Sequence, residues 1–167
     1  MWKKFFNKFD NYPSQKKVVR KLLQLGLKVG ENKKVYCNDV EINISSLAKS
    51  IDTDRRVVSA TIENILSDKE LKEIFTNIKS AGTVLANISQ ELGLGVIEIE
   101  GDAQKTGILN QVTKLLADEN ISIRQAYASD PELFATPYMT IITDNAVDGR
   151  IIPLLLKIDG VNKVSMY

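Results

Sequence analysis

The spacing of apolar residues changes near residue 95, and this change constrains the fold more than any other feature of the sequence. Before it, apolar residues recur at helical spacing, as Val18, Val19, Leu22 and Leu23 do. After Gly95, short runs rich in β-branched residues alternate with helical segments. The sequence therefore predicts an α+β protein in which a mainly helical part precedes a part built from alternating strands and helices.

The second part is expected to follow the order βαββαβ. The predicted strands cover 96–100, 121–129, 138–143 and 161–166, and the predicted helices cover 106–119 and 147–158. This is the order of a ferredoxin-like, or split-βαβ, sheet with two helices on one face. A connector with a hinge and a brief apolar helix is expected at 80–94, which leaves domains of residues 1–79 and 95–167.

The first part is predicted to contain several short helices. An aromatic stripe of Trp2, Phe5, Phe6 and Phe9 indicates an amphipathic helix, which could lie on a membrane but which we interpret as covering a core or a dimer seam. Further helices are expected up to Gly26, from 44 to 51 with Ser45 as N-cap, from 54 to 67, and from 71 to 78. A short hairpin is expected at 35–42.

The absence of histidine and the presence of a single cysteine, Cys37, exclude many kinds of site. Zinc sites of Cys and His, Ser-His-Asp triads and disulfides all need residues that the chain lacks. Glu98 and Glu100 lie two apart on a predicted strand and are interpreted as a solvent-facing strand edge. We therefore expect no enzyme activity, and we assign no catalytic residue, metal ion or cofactor.

Charge is divided unevenly along the chain. Residues 1–80 carry 16 Lys and Arg against 10 Asp and Glu, whereas residues 81–167 carry 6 against 11. The halves therefore have net charges of +6 and −5, and the basic half suits an anionic polymer. No apolar run is long enough to span a bilayer, and the first residues do not read as a secretory signal. A cytoplasmic protein without a membrane partner is expected.

Three residues of the first part carry a recognisable spacing. Ala48 is small enough for two helices to cross closely, Asp52 follows four residues later at an expected turn, and Val58 lies ten residues after Ala48. This spacing resembles that of the helix-turn-helix family, in which the turn position has a left-handed backbone and is most often Gly. Asp tolerates that conformation better than most residues do.

The resemblance implies that helix 54–67 enters the major groove of double-stranded DNA. Arg56 and Asn64 could contact base edges, and Glu63 could accept a hydrogen bond from cytosine or form an ion pair with a nearby Lys or Arg. The residues expected to bind DNA are Arg55, Arg56, Ser59 and Asn64. Phosphate contacts are expected from Lys16, Lys17, Arg20, Lys21, Lys28, Lys33 and Lys34. The alternative is a solvated helix start or a protein contact.

The second part resembles the ACT family of amino-acid-sensing domains in the segments 96–102, 107–109, 115–116 and 120–123. The resemblance implies a homodimer joined along an open sheet edge, with an effector between one subunit's first loop and its partner's helix-to-strand turn. Asp102 would hold an ammonium group, and Lys105 or loop amides a carboxylate. The implied ligand-binding residues are Gly101, Asp102, Lys105, Thr106, Gly107, Asn120 and Ile121. The alternative is an ordinary loop in which Asp102 is a cap.

The whole chain is similar to archaeal proteins described as predicted regulators of amino-acid metabolism. This similarity implies a ligand-responsive regulator, in which an amino acid or a related metabolite bound at the dimer interface alters DNA binding. The alternative hypothesis is an effector-binding adaptor that docks on an enzyme or another protein without contacting DNA.

Overall fold

A computed structural model describes residues 2–167, and the chain divides into two compact units. The first unit ends at Gly82, and the second covers Thr83–Tyr167. Helices dominate the first unit, and a four-stranded antiparallel sheet forms the second. The predicted α+β arrangement, with helices first and a sheet second, is confirmed.

The first unit contains five helices and a small sheet among its described residues. The helices are α1 (Lys3–Asn7), α2 (Pro13–Leu25), α3 (Ile44–Ser50), α4 (Arg55–Ser67) and α5 (Lys69–Asn77). Strands β1 (Lys28–Val29), β2 (Val35–Cys37) and β3 (Val40–Ile42) form an antiparallel sheet in that order. Asn38 (φ +54°) and Asp39 connect β2 to β3, which confirms the predicted hairpin.

Local chemistry explains where these helices begin and end. Pro13 occupies the first turn of α2, where a missing N–H costs nothing, and Gly26 ends α2 in the left-handed conformation. The predicted N-cap of α3, Ser45, is wrong. The cap is Asn43, whose side-chain oxygen accepts a hydrogen bond from the Ser45 backbone N–H at 2.8 Å. Asn at this position satisfies an amide that would otherwise lack a partner inside the helix.

The aromatic stripe of α1 contributes to the core of the first unit. Phe6 and Phe9 are buried, with 6% and 2% of their surface exposed, and Trp2 is half-buried. The Arg20 guanidinium lies 4.6 Å from the centre of the Phe6 ring. The interpretation that this stripe covers a core is confirmed for Phe6 and Phe9.

Asp68 joins three helices of the first unit. Its carboxylate caps α5 by accepting hydrogen bonds from the backbone N–H groups of Glu70 and Leu71, both at 3.0 Å. Its other oxygen accepts a hydrogen bond from Lys8 Nζ, just beyond α1, at 2.6 Å. The hydrogen bond from Lys8, and then that from Leu71, lowers the pKa of the Asp68 carboxyl. Ionised Asp68 is therefore favoured in the folded protein.

Removing this carboxylate should give a stability loss that depends on pH. We expect Asp68→Ala to cost about 1 kcal/mol near neutral pH, because a helix cap is lost. The ionised carboxylate stabilises the fold above its unfolded pKa of about 4, and this contribution disappears as pH falls through the lower folded pKa. Urea denaturation should therefore show the deficit of the variant shrinking below about pH 4. A deficit that grows on acidification would contradict this role. Asp10→Ala is the control, because the exposed Asp10 carboxylate forms an ion pair with Lys16, and a surface pair of this kind contributes little to stability.

The second unit has the topology expected of a split-βαβ sheet. Its strands are β4 (Gly95–Gly101), β5 (Ile123–Ala128), β6 (Tyr138–Thr143) and β7 (Val161–Met166), in the spatial order β5-β6-β4-β7 with every pair antiparallel. Helices α6 (Ile108–Asp118) and α7 (Ile152–Leu155) pack on one face of the sheet. The core between them consists of Ile97, Ile99, Val112, Leu116, Met139, Ile141, Ile151 and Leu155.

Two predicted helices are much shorter than expected. The helix expected at 147–158 is a 3-10 turn, Gly149–Ile151, followed by the single turn of α7. Pro153 lies in the first turn of α7. Because proline has no backbone N–H, a continuous helix through this position would lack one of its hydrogen bonds. The connector helix is one 3-10 turn, Ala86–Ile88. Three of the apolar residues that predicted it, Val84, Ile88 and Leu92, are exposed, so little burial is available to stabilise a longer helix.

Candidate functional site

Helices α3 and α4 are joined by a turn with the geometry that the sequence spacing predicts. Asp52 has φ +50°, which confirms the left-handed turn position. Ala48 and Val58 are buried, with 3% and 0% of their surface exposed, on helices α3 and α4 that pack against each other. Asp54 caps α4 by accepting a hydrogen bond from the Arg56 backbone N–H at 2.7 Å. The turn therefore leaves the first residues of α4 at the surface.

Two arginines at the start of α4 offer unpaired positive charge. Arg55 and Arg56 are both exposed. Within residues 2–167, neither guanidinium has an ion-pair partner. The hydroxyl of Ser59, one turn later, is half-buried and donates a hydrogen bond to the Arg55 carbonyl oxygen at 3.2 Å. Arg55 and Arg56 are thus open to a partner, whereas the Ser59 hydroxyl is already bound to its own helix.

The second half of the outer face of α4 is exposed but occupied by polar partners. The side-chain amide of Asn64 donates a hydrogen bond to Gln15 Oε1 of α2 at 2.8 Å. The Glu63 carboxylate pairs with Lys33 Nζ at 2.9 Å, which is one of the two roles expected for it. Contact between Asn64 and another molecule would therefore begin with release of Gln15. Sequence reasoning missed Gln15, because 49 residues separate it from Asn64 and only the packing of α2 on α4 joins them.

A groove follows the outer face of α4 beside the beginning of α2. Its volume is about 410 Å³, and the residues lining it include Tyr12, Ser14, Gln15, Arg56 and Ala60. Tyr12 precedes Pro13 at the helix start and makes no side-chain capping hydrogen bond. Arg56 thus lies beside a helix start that has no acidic residue in its first turn, and the partial positive charge of that helix start adds to the charge of the guanidinium.

The predicted basic surround is partly neutralised within the first unit. Lys16 pairs with Asp10 at 2.6 Å, and Lys34 pairs with Glu41 at 2.7 Å. Lys28 lies over the ring of Tyr36, with 5.5 Å between Nζ and the ring centre. Lys16 and Lys34, like Lys33, are therefore engaged by carboxylates of the same unit, which lowers the positive charge available for phosphate contacts.

The loop between β4 and α6 is held closed by backbone and side-chain contacts. The Asp102 N–H donates to the Gly160 carbonyl oxygen at 2.8 Å, and Asp102 Oδ1 accepts a hydrogen bond from the Gln104 N–H at 2.9 Å. Asp102 therefore acts as a local turn cap, as the alternative reading of this loop expected. Gly107, with φ +87°, precedes α6 and is exposed together with Thr106.

Lys105 ties this loop to the turn before β7. Its ammonium pairs with the Asp159 carboxylate. The neighbouring Gly160 has φ +96°, a conformation that residues with a Cβ rarely adopt, and a Cβ there would lie 2.7 Å from the Lys105 side chain. Asp159 is a residue that sequence reasoning missed, because its contact with Lys105 forms only when the end of β4 pairs with the start of β7.

The predicted ligand-binding residues fall into two separate cavities of one chain. Gly101, Asp102 and Lys105 line a cavity of about 300 Å³ that also contacts Ala128 of β5. Asn120 and Ile121 line another cavity of about 320 Å³ beside the segment that leads into α7. Thr106 and Gly107 are absent from the lining of both. Contact between these two groups would need a second chain, as the ACT resemblance implies, and it stays a prediction.

Glu98 and Glu100 lie on a central strand, so the prediction of a strand edge is wrong. Strand β4 is flanked by β6 and β7. The Glu100 carboxylate accepts a hydrogen bond from Lys163 at 2.7 Å. Burial, and then its hydrogen bond with Glu98, raises the pKa of Tyr167 to about 12. Cross-strand partners therefore account for both carboxylates, since they sit in the middle of the sheet.

Two solved structures are similar to this chain. No protein-family model matches the chain, and no curated protein matches it. An AsnC family transcriptional regulator from Agrobacterium tumefaciens has 12% identity and a TM-score of 0.30, over 92% of this chain and 86% of that one. A transcriptional regulatory protein of the AsnC family from Pyrococcus furiosus has 10% identity and a TM-score of 0.28, over 92% and 85%. Similarities this low carry no inference about function.

The described residues offer neither a membrane-spanning helix nor a cluster of metal-binding side chains. None of their helices has both the length and the apolar character that crossing a bilayer requires. Among residues 2–167, no three or more acidic or cysteine side chains are grouped so that they could hold a metal ion.

Proposed function

We propose that this chain is a ligand-responsive regulator of transcription that binds double-stranded DNA through α4. The observation that carries the proposal is the α3–α4 pair, with Asp52 in the left-handed conformation and Arg55 and Arg56 exposed and unpaired at the start of α4. A helix presented in this way fits the major groove with its first residues toward the bases.

The expected contacts differ along α4. Its 13 residues give a length of about 20 Å, enough to follow the groove over several base pairs. Arg56 can bind guanine or a phosphate through two hydrogen bonds, and Arg55 can bind a neighbouring phosphate. Asn64 can reach adenine once its hydrogen bond with Gln15 is exchanged. Phosphate contacts from the exposed Lys17 would fix the position of the unit on the duplex.

The second unit is proposed to be an ACT-type sensor that joins two chains. Strands β5 and β7 are the edges of its sheet, and either edge has free backbone groups that could pair with a second copy. In such a homodimer two α4 helices would meet successive turns of DNA. A metabolite that binds one arrangement of the two chains better than another would shift DNA affinity by that difference.

Replacing both arginines should test DNA binding. We expect Arg55→Ala combined with Arg56→Ala to weaken binding of a mixed-sequence duplex at least about tenfold, because contacts of this kind are each worth about 1–3 kcal/mol. Fluorescence anisotropy between about 50 and 200 mM salt should also show a shallower salt dependence for the variant.

The control for this experiment removes the same charge elsewhere. Arg150→Ala combined with Lys157→Ala deletes two exposed basic residues of the second unit and should leave affinity within about twofold. Equal losses in the two double variants would indicate a general charge effect and would contradict a role for α4. Undetectable or salt-insensitive binding by the unaltered chain would remove the DNA half of the proposal. A partner protein that stays bound after nuclease treatment would then favour the adaptor.

A further inference from the structure

The outermost line of α4 carries a carboxylate as well as a guanidinium. Arg56, Ala60 and Glu63 follow one another at spacings of four and three residues, so they share one side of the helix. The buried residues Val58 and Ile65 lie on the opposite side. Arg56 and Glu63 are both exposed, and 57% of the Glu63 side chain is accessible. A partner that meets Arg56 along this line therefore also meets Glu63.

A carboxylate in this position limits the DNA sequences that α4 can accept. Phosphates repel it, and in the major groove guanine presents only acceptors, while thymine presents an acceptor beside its methyl group. Adenine has an amino group with an acceptor next to it, whereas cytosine presents its amino group alone. Cytosine is therefore the base that suits Glu63 best, and most other sequences are disfavoured by it.

The Glu63 carboxylate is paired with a lysine from outside α4. Lys33, in the turn that joins β1 to β2, donates a hydrogen bond from Nζ to Glu63 Oε1 at 2.9 Å. Both side chains are more than half exposed, and an exposed ion pair of this kind is weak enough to exchange partners at little cost. While the pair persists, the ammonium is not available to a phosphate and the carboxylate is not available to a base.

The turn between β1 and β2 holds Lys33 beside α4. The Gly30 N–H donates to the Lys34 carbonyl oxygen at 2.8 Å, and the Lys33 N–H donates to the Gly30 carbonyl oxygen at 3.0 Å. Asn32 Nδ2 donates to the Tyr36 hydroxyl at 2.8 Å. Lys33 has φ +62°, a left-handed conformation that Gly or Asn adopts more easily. A lysine therefore occupies an unfavourable backbone position from which its ammonium reaches the outer side of α4.

We propose that the ion pair between Glu63 and Lys33 determines the specificity of DNA binding by α4. On a duplex without a suitably placed cytosine the pair stays closed, Lys33 is withheld from phosphates, and affinity stays low. Where a cytosine amino group donates to the Glu63 carboxylate, Lys33 exchanges that carboxylate for a neighbouring phosphate. Specificity is the difference between these two affinities. The inference rests on the proposed function and deepens it by naming a base that α4 reads and the residue that restrains binding elsewhere.

Glu63→Gln should raise the affinity of the full chain for duplex DNA of mixed sequence. The change removes the carboxylate and releases Lys33, so fluorescence anisotropy should show at least about fivefold tighter binding and a salt dependence steeper by about one phosphate contact. Glu31→Gln is the matched control, because it removes an exposed carboxylate of the same turn and releases Lys72 of α5 from a pair of 2.7 Å. It should change affinity by less than about twofold. Equal gains in the two variants, or no gain in Glu63→Gln, would overturn the inference.

Lys33→Asn tests whether Glu63 acts through Lys33. Asparagine has no charge and suits the left-handed backbone at this position, so the turn should persist, and circular dichroism verifies this. Combined with Glu63→Gln, Lys33→Asn should return the salt dependence to that of the unaltered chain, because no ammonium is left to release. If Glu63→Gln steepened the salt dependence equally with and without Lys33→Asn, Lys33 would not be the residue that Glu63 restrains, and the inference would be wrong.

Selection from duplexes of random sequence tests the base that Glu63 reads. The unaltered chain should enrich cytosine at one fixed position of the bound sites, and Glu63→Gln should lose that preference while keeping those at other positions. The same preferences in both chains would overturn the role of Glu63. Duplex binding by the unaltered chain without any of these differences would reject this inference and keep the regulator, whereas no duplex binding by any of the chains would reject both.

Discussion

Gly26→Ala should destabilise the first unit by about 2–4 kcal/mol, a large share of the stability of so small a unit. Gly26 has φ +63°, a left-handed conformation that costs a residue with a Cβ about 1–2 kcal/mol. An added Cβ would also lie 2.7 Å from both the Lys79 carbonyl oxygen and the Ser80 Cα. These are backbone atoms, which cannot rotate away as a side chain can, so the cost of overpacking adds to that of the conformation.

The measurement is chemical denaturation followed by the fluorescence of Trp2, the single tryptophan of the chain. Gly93→Ala is a matched control, because Gly93 has a similar φ of +68° with nothing within 4 Å of the added Cβ. Circular dichroism should show a cost of about 1 kcal/mol for this variant. If the Gly26 variant lost no more than the control, close contact with the segment at 79–80 would not limit this position.

Leu116→Ala should destabilise the second unit by about 2–5 kcal/mol. Leu116 is fully buried and lies with Ile97 and Ile141 in the core between α6 and the sheet. Truncation removes its burial and leaves a hole that close-packed neighbours can only partly fill. Urea denaturation should show a lower transition midpoint for the variant.

Leu109→Ala provides the comparison on the same helix. About half of the Leu109 surface, 51%, is exposed, so its removal should cost less than about 1 kcal/mol. The two variants remove the same atoms from α6 and differ only in burial. Equal losses would mean that Leu116 is not part of the packed core.

Local sequence signals were sufficient for much of the fold. The last strand was predicted at 161–166 and is found at Val161–Met166, because alternation and flanking turn residues act within a few residues. The spacing of Ala48, Asp52 and Val58 likewise predicted a buried crossing and a left-handed turn. Where two local signals compete, prediction is weaker. Asn43 and Ser45 can both cap a helix, and the choice depends on the backbone conformation of the residue.

The candidate sites were harder to predict, because their contacts join distant parts of the chain. The hydrogen bond between Gln15 and Asn64 and the ion pair between Lys105 and Asp159 have no local sequence signal. The cavity that contacts Ala128 could not be predicted either, because the sequence does not indicate whether a helix covers an alanine on a strand. The loop 101–107 could be predicted from its glycines and Asp102. The contacts that hold this loop against Asp159 and Gly160 could not be predicted from the sequence.

Helix α4 is fixed at both of its ends by aspartate residues. Asp54 caps its beginning, and the Asp68 N–H donates to the Asn64 carbonyl oxygen at 3.2 Å at its end, while the Asp68 side chain binds Lys8. The helix is therefore already formed and oriented in the free protein. Any molecule that engages its outer surface meets a rigid element, so association does not bear the entropy cost of ordering that backbone.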